Sequence, residues 1–275
     1  MKFSLSTHLF VYDELSEHHL ELVKNNNLSA IELWCMNPHF NFHNWQNVKK
    51  LSNLLEKHQL TLSSIHTPFY RNFEELHKNQ TFSIASDDEA QSKIAVNEIT
   101  ASLKAASDLN AHYAVIHAGN KNDEANEQNI TRLTRNVEKL LQTATKLKQN
   151  ISLENIVGDL STAKHLLSII NTFSSEHLSA CIDTGHAFIN KELPDFIKTL
   201  GPHIKTTHIN DNNGEKDEHL FPFFGKIEWE QTIKAFKEIN YNNYWVLEPR
   251  KYEESYDKHF EKLQSSIKKL QAIKQ

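Results

Sequence analysis

The sequence predicts an α/β fold, a single (β/α)8 TIM barrel that spans residues 1–275. Short apolar runs alternate with longer amphipathic runs along the whole chain, as in a parallel sheet covered by helices. The alternation repeats eight times, which is the number of strands that closes such a sheet into a barrel. Five of the six glycines follow proposed strands, so special backbone geometry is concentrated at the carboxyl end of the sheet.

Each of the eight units consists of one apolar run and one amphipathic run. The predicted strands are residues 3–6, 30–34, 61–66, 112–117, 151–155, 178–183, 204–208 and 244–248. The predicted helices are residues 15–25, 45–58, 86–109, 126–148, 160–171, 193–200, 229–239 and 256–273. No linker or low-complexity tract interrupts this pattern, so we expect one domain.

Composition and charge narrow the class of protein. The chain carries 30 Lys and Arg against 35 Asp and Glu, and the net charge of −5 gives no indication of a nucleic-acid partner. No apolar run approaches the ~20 residues of a membrane span, and the N-terminus lacks the apolar segment of a signal peptide. Cys35 and Cys181 lie in or beside apolar runs, which is typical of reduced, buried thiols. We therefore expect a cytoplasmic protein, and the sequence leaves its oligomeric state open.

The most informative feature is the residue type at the end of each predicted strand. Six successive strands end on His66, His117, Glu154, Asp183, His208 and Glu248, and His186, Asp217 and His219 follow in the loops. Histidine and carboxylate are the ligand types that borderline divalent metals prefer. Carboxylates buried together would repel one another without a cation, and a metal ion offsets their charge. The sequence therefore predicts a metal site at the carboxyl ends of the strands.

Seven short motifs, in this order, resemble those of one known superfamily. They are Ser64-Ile65-His66-Thr67-Pro68, Val115-Ile116-His117-Ala118-Gly119, Leu153-Glu154-Asn155, Cys181-Ile182-Asp183-Thr184-Gly185-His186, His208-Ile209-Asn210-Asp211, Asp217-Glu218-His219-Leu220 and Leu247-Glu248-Pro249. Over nearly its whole length the chain resembles the xylose isomerase-like barrel superfamily. That superfamily contains sugar and sugar-phosphate isomerases and epimerases, and also the endonuclease IV family of DNA repair enzymes.

Resemblance to the epimerases implies a site for one divalent ion such as manganese. Its ligands would be Glu154, Asp183, His208 and Glu248. Glu154 and Glu248 would also transfer protons on the two faces of the substrate, and His186 would bind a substrate oxygen. A metal that spans a carbonyl and a neighbouring hydroxyl acidifies the C–H bond between them, which suits this chemistry.

Resemblance to endonuclease IV implies instead a cluster of three zinc ions bound by all nine positions. Glu154 would bridge two of the ions. One of these would also be bound by His66 and His117, and the other by Asp183, His208 and Glu248. The third ion would be bound by His186, Asp217 and His219. Every one of these positions is filled, which keeps this alternative open.

The loops depart from the nuclease pattern at two places. The nuclease run Ala-Ala-Gly-Tyr-Asp after the sixth-strand histidine is here Ala187-Phe188-Ile189-Asn190-Lys191. Glu218 stands where the nucleases usually carry arginine, and an acid beside a DNA phosphate is unfavourable. Sugar isomerase-like members usually continue with Pro-Gly-x-Gly, whereas this chain has Pro222-Phe223-Phe224-Gly225. The shape of that loop, and with it the substrate, stays open.

Residues just past the strand ends are candidates for contact with a substrate. Trp34 and Phe69 would either stack on a sugar ring or pack at the barrel mouth. Arg250 and Lys226 would either bind a phosphate or carboxylate or be solvated. We rank a metal-dependent isomerase or epimerase of a small sugar, sugar phosphate or polyol first, and a nuclease acting on abasic DNA second. A lyase, or a barrel that binds a ligand without turnover, comes third.

Overall fold

A computed structural model describes residues 1–78, 80–252 and 255–273, and it confirms the predicted barrel. Eight parallel strands pair in chain order, and the first closes on the last through register pairs from Lys2–Tyr244 to Leu5–Leu247. The strands are β1 (Lys2–Ser6), β2 (Ala30–Trp34), β3 (Thr61–His66), β4 (Tyr113–His117), β5 (Ile151–Glu154), β6 (Leu178–Asp183), β7 (Ile204–Ile209) and β8 (Tyr244–Leu247).

Both faces of the strands are largely buried, so the strands are rich in apolar and small residues. All five residues of β2 and all six of β6 are removed from solvent, as expected where helices cover the outside of a barrel and side chains fill the inside. The small polar residues of the interior are satisfied in pairs. Ser4 Oγ lies 2.7 Å from Ser63 Oγ, and Ser152 Oγ lies 2.6 Å from Ser179 Oγ.

The helices surround the barrel and bury one face each against it. They are α1 (Glu17–Asn25), α2 (Trp45–His58), α3 (Phe73–His77), α4 (Glu89–Asp108), α5 (Glu127–Leu147), α6 (Ala163–Phe173), α7 (Thr184–Ile189), α8 (Leu193–Leu200), α9 (Trp229–Glu238) and α10 (Tyr256–Ala272). In α5 the buried residues include Leu133, Val137, Leu140 and Ala144, which share one face. Within the described residues, each helix is too short or too polar to traverse a bilayer.

Two short α-helices were not predicted, and several predicted boundaries differ from the observed ones by one to three residues. α3 has five residues and α7 has six, so neither is long enough to show an apolar period. The helix predicted from residue 86 begins at Glu89, because the side chain of Asp88 accepts the N–H groups of Ala90 and Gln91 and caps it there.

The loop that follows β7 is organised around one buried carboxylate, that of Asp211. It accepts hydrogen bonds from the backbone N–H groups of Asn212, Phe223 and Ile227 and from the indole N–H of Trp229, over distances of 2.9 to 3.0 Å. A carboxylate that satisfies four buried donors ties the two ends of the loop together.

Two residues show how tightly this loop closes. Phe223, at the position where sugar isomerase-like sequences usually carry glycine, has φ +72°, a left-handed conformation that glycine adopts without strain. A Cβ atom on Gly225 would collide with the carbonyl oxygen of Asn212 and the carboxylate of Asp211. The loop, which carries two of the predicted metal ligands, is therefore held in one shape.

We expect Asp211→Asn to lower the free energy of unfolding by about 3 kcal/mol or more. Each carboxylate oxygen accepts two donors, so the new amide nitrogen faces two N–H groups whichever way the side chain turns. The measurement is urea denaturation followed by circular dichroism.

Trp229→Phe provides the control for Asp211→Asn, since it removes one donor and keeps an aromatic ring. In the double variant we expect the free energy of unfolding to fall by less than the sum of the two separate losses. The reason is that Trp229→Phe has already removed one of the donors that Asp211→Asn would leave unpaired. Full additivity would contradict the role of Asp211 as the shared acceptor.

Candidate metal centre

The nine predicted ligands all lie at the carboxyl end of the barrel. β3 to β6 end on His66, His117, Glu154 and Asp183, in that order. His208 is the fifth of the six residues of β7, and Glu248 directly follows β8. The remaining three follow in loops or in α7. His117 and Asp217 are partly buried, and the other seven are buried. Parallel strands that end at the same edge of a closed barrel bring these side chains together.

Glu154 is at the centre of this group. Its Oε1 lies 2.8 Å from His208 Nδ1. Its Oε2 lies 3.5 Å from His66 Nε2 and 3.4 Å from His117 Nε2, and it accepts no hydrogen bond from the described residues. A buried carboxylate oxygen with no hydrogen-bond partner, facing two imidazoles, is an arrangement that a cation would complete.

The orientation of His66 supports a cation at this point. Its Nδ1 lies 2.9 Å from the carbonyl oxygen of Thr67. A carbonyl can only accept, so Nδ1 carries a proton, and Nε2, which faces Glu154, is the nitrogen through which the neutral ring would bind a cation. The Nε2 of His117 lies only 3.1 Å from the same Nε2. Two imidazole nitrogens directed at one point, one of them held from behind by a backbone carbonyl, are an arrangement typical of metal sites.

A second group is formed by His186, Asp217 and His219. The two rings donate from Nδ1 to backbone carbonyls, His186 to Asn155 and His219 to Glu248, each over 2.9 Å. Their Nε2 atoms therefore face Asp217, at 3.5 Å from Oδ1 and 3.1 Å from Oδ2. These three side chains also offer ligand atoms within 4.8 Å of one another. The donor set is again one that suits a divalent cation.

The backbone of His219 is itself unusual. Its φ is +51°, in the left-handed region that few residues other than glycine adopt. Such conformations persist where the surrounding structure determines them, and they concentrate at functional sites. Arg250 helps to hold this region, because its Nη2 lies 3.1 Å from Oδ2 of Asp217.

Glu248 lies between the two groups. Its Oε2 is 3.5 Å from His208 Nδ1 and 3.5 Å from His219 Nδ1, and its Oε1 accepts the indole N–H of Trp34 over 3.0 Å. Asp183 is oriented differently, since its Oδ1 accepts the backbone N–H of His186 and its Oδ2 accepts from Asn210, both over 2.7 Å. Each of its oxygens keeps a second lone pair for a cation.

The charges of the cluster are strongly coupled. Burial alone would lower the pKa of His208, but the neighbouring acidic groups outweigh it and raise that pKa well above its ordinary value. Burial opposes ionisation of Glu154, yet His208 and His117 hold its pKa well below the usual range. Burial raises the pKa of Glu248. Protons on imidazoles thus offset the buried acids here, and a metal ion would take over that role by displacing them.

The four predicted substrate contacts outside the ligand set differ in position. Trp34 is buried and bonded to Glu248, and half-buried Phe69 stacks on the ring of His117 with centroids 4.3 Å apart. Arg250 is half-buried beside Asp217, as described above. Lys226 is exposed, and its backbone N–H donates to the carbonyl oxygen of Asn212. Trp34, Phe69 and Arg250 thus contact the cluster directly.

Two buried residues at the cluster were not predicted. Glu32 accepts from His208 Nε2 over 2.9 Å, and the sequence signal was an acid in the middle of an apolar strand. His8 stacks on Trp34 at 4.1 Å and meets the edge of His219 at 5.0 Å. Its Nδ1 is buried without a partner among the described residues, and burial holds its pKa well below the usual value. The sequence feature that could have indicated His8 is its position just past the end of the first strand.

Comparison with known proteins agrees with the barrel. The family model described as xylose isomerase-like TIM barrel matches residues 20–272. The crystal structure of a D-tagatose 3-epimerase-like protein superposes with a TM-score of 0.82 at 24% identity, covering 99% of this chain and 98% of that one. At this level of identity, the likeness supports the fold.

The relatives include proteins of two catalytic types. An uncharacterised protein of Methanocaldococcus jannaschii is 27% identical over 262 residues, 90% of this chain and 83% of its own length. Fructoselysine 3-epimerase of Escherichia coli O157:H7 is 21% identical over 230 residues, 80% of each chain. A probable endonuclease 4 of a Sulfurihydrogenibium species is 26% identical over 166 residues, 52% of this chain and 59% of that one. The chain is therefore an enzyme that belongs to the xylose isomerase-like TIM barrel family.

Proposed function

We propose that this chain is a divalent-metal-dependent isomerase or epimerase of a small sugar, sugar phosphate or polyol. The observation that carries the proposal is the convergence of Glu154 and Glu248 on one point of the barrel mouth. Their carboxylate oxygens lie 2.8 and 3.5 Å from the same atom, His208 Nδ1. Two carboxylates this close can reach one substrate from two sides, which is what removal and return of a proton requires.

Four residues would hold the ion in this reaction: Glu154, Asp183, His208 and Glu248. The unpartnered Oε2 of Glu154 and the mixture of imidazole and carboxylate donors fit manganese or zinc. A bound divalent ion would polarise a substrate carbonyl and its neighbouring hydroxyl, and so acidify the C–H bond between them. The remaining histidines and Asp217 extend the capacity of the site to as many as three ions.

Glu154 and Glu248 would carry out the proton transfers. β5 and β8 lie three strands apart around the barrel, so the two carboxylates approach a bound ligand from different sides. The indole of Trp34 holds Oε1 of Glu248, which leaves Oε2 directed at the cluster. One carboxylate would remove a proton from one face of the substrate, and the other would return one to the opposite face. Both side chains are nearly fully buried, so bulk water is kept from the proton in transit.

Other residues would bind and orient the substrate. We assign His186 to a substrate oxygen, Trp34 and Phe69 to the faces of the sugar, and Arg250 and Lys226 to a phosphate or carboxylate. The alignment with the fructoselysine 3-epimerase covers 80% of both chains, which supports a small sugar as substrate. A cytoplasmic location stays a prediction.

The second candidate function is that of an endonuclease IV-type zinc phosphodiesterase. The observation that favours it is the second group of potential ligands, because Asp217 and His219 converge with His186 although the two-glutamate reaction uses neither of them. Glu218 argues against this function. Its carboxylate lies on the loop that carries Asp217 and His219, where it accepts the backbone N–H of Asn213 over 2.8 Å. A negative charge there would repel a DNA phosphate. The endonuclease alignment also covers only 52% of this chain.

We expect Glu248→Gln and Glu154→Gln to retain much of their metal and to lose turnover by ~10²-fold or more. Glutamine keeps the size and one ligand oxygen but removes the basic oxygen. The measurement is deuterium wash-in from solvent at the carbon beside the carbonyl, over a panel of ketopentoses, ketohexoses and their phosphates, alongside metal content.

Glu17→Gln is the matched control for these two variants, because it makes the same chemical change at a surface pair with Lys57. We expect its exchange rate to equal that of the unchanged protein. Full exchange in either active-site variant with metal bound would rule out the two-glutamate mechanism.

We expect a duplex with an abasic site to remain intact in the presence of metal-replete protein. The reason is the acidic loop at the mouth, which disfavours the DNA backbone. Gel electrophoresis of a labelled duplex is the measurement, with elemental analysis of protein purified without chelator. One manganese-like ion per chain agrees with the isomerase, whereas three zinc ions and efficient incision would reverse the ranking.

A further inference from the structure

We propose that Glu32 is a positioning residue for the metal centre, which holds His208 so that its Nδ1 faces the ion. Glu32 is the middle residue of β2 and is completely buried. Its Oε2 lies 2.9 Å from His208 Nε2, on the side of the ring opposite Glu154. The inference rests on the proposed metal site and assigns this acid no contact with substrate.

The position of Glu32 is determined by its own strand and by both neighbouring strands. Ser6 of β1 and Ser64 of β3 are its register partners. The hydroxyl of Ser6 donates to Oε1 over 2.9 Å, and that of Ser64 donates to Oε2 over 2.7 Å. The contact with His208 then crosses the barrel interior from β2 to β7. Three donors from three strands leave this carboxylate one orientation.

A carboxylate at this depth needs a physical reason. Burying a charge costs several kcal/mol unless partners replace its water, and an apolar side chain of similar volume would fill the same space without that cost. The serines do not in general require an acid between them, since Ser4 and Ser63 of the same two strands bond directly to each other. The partner that does require it is the imidazole of His208.

The ring of His208 is turned the other way from those of its neighbours. His66, His186 and His219 each donate from Nδ1 to a backbone carbonyl and present Nε2 to the cluster. His208 instead gives Nε2 to Glu32 and presents Nδ1, at 2.8 Å from Glu154. A neutral imidazole carries one proton, so a ring that binds a cation through Nδ1 must keep its proton on Nε2, directed at Glu32. A carboxylate in that place also makes the ring a stronger ligand than a carbonyl would.

The first test is Glu32→Gln, which keeps the size of the side chain and removes its charge. We expect the dissociation constants for Zn²⁺ and Mn²⁺ to rise ~10–100-fold, the usual effect of losing such a partner. They are measured by competition with a chromophoric chelator in the absence of any sugar, after circular dichroism has shown that the variant is folded. An unchanged dissociation constant in the folded variant would overturn the inference.

Ser6→Ala is the matched control. It removes a hydrogen bond to Oε1 of Glu32, the oxygen that does not contact the ring, and leaves the bond between Oε2 and His208 in place. We expect a change in metal affinity several times smaller than that of Glu32→Gln. Equal losses in both variants would mean that the effect is a general weakening of the barrel interior, which contradicts a specific role for Glu32.

The second test uses the unchanged protein, so it does not depend on whether a variant folds. Nitrogen NMR of the zinc-loaded, histidine-labelled chain reports which ring nitrogen carries the proton. We expect His208, assigned by the loss of its signals in His208→Asn, to show a protonated Nε2 and a metal-bound Nδ1. A metal-bound Nε2, or a ring that binds no zinc, would overturn the inference. Failure of the proposed reaction is a separate outcome, seen as Glu32-dependent metal binding without exchange of any sugar.

Discussion

The structure depends on neutralising acids that the barrel removes from water at one end. Five carboxylates form the cluster there, those of Glu32, Glu154, Asp183, Asp217 and Glu248, and a sixth, that of Asp211, is buried in the loop after β7. Each would cost several kcal/mol to bury alone, so donors replace the water around most of their oxygens, and Oε2 of Glu154 is among the few that lack one. These donors are imidazoles, serine hydroxyls, indoles, one guanidinium, one side-chain amide and backbone N–H groups. A divalent ion would add the one charge dense enough to serve several of the carboxylates at once.

The orientation of the candidate ligands is determined largely by the backbone. The carbonyl groups of Thr67, Asn155 and Glu248 hold three imidazoles from behind, and all three carbonyls belong to strand-end segments. Substitution of a side chain cannot remove such a carbonyl, so these rings keep their direction as long as the strands keep their register. The ring of His208 differs from these three, since the side chain of Glu32 holds it, and its orientation is therefore more easily changed by mutation.

Much of the site could be predicted from the sequence because a parallel barrel brings all strand ends to one edge. Histidines and acids at successive strand ends, such as His66 and Glu154, were therefore expected to lie close together. Glu32 could not be predicted in this way, because the sequence of an otherwise apolar strand does not indicate whether its single acid points into or out of the barrel. The direction in which the ring of His208 turns was equally beyond prediction, as was α7, which is too short to show a period.

Trp34 gives the site an optical signal of its own. Its indole N–H is bonded to the carboxylate of Glu248, and its ring lies between those of His8 and His66, at 4.1 and 4.5 Å. Indole emission responds to nearby charge and to the protonation of an adjacent imidazole. Any ion or sugar that rearranges this carboxylate therefore changes the fluorescence of one of the chain's four tryptophans, without a label. Occupancy of the mouth can thus be followed in real time, even for ligands that undergo no reaction.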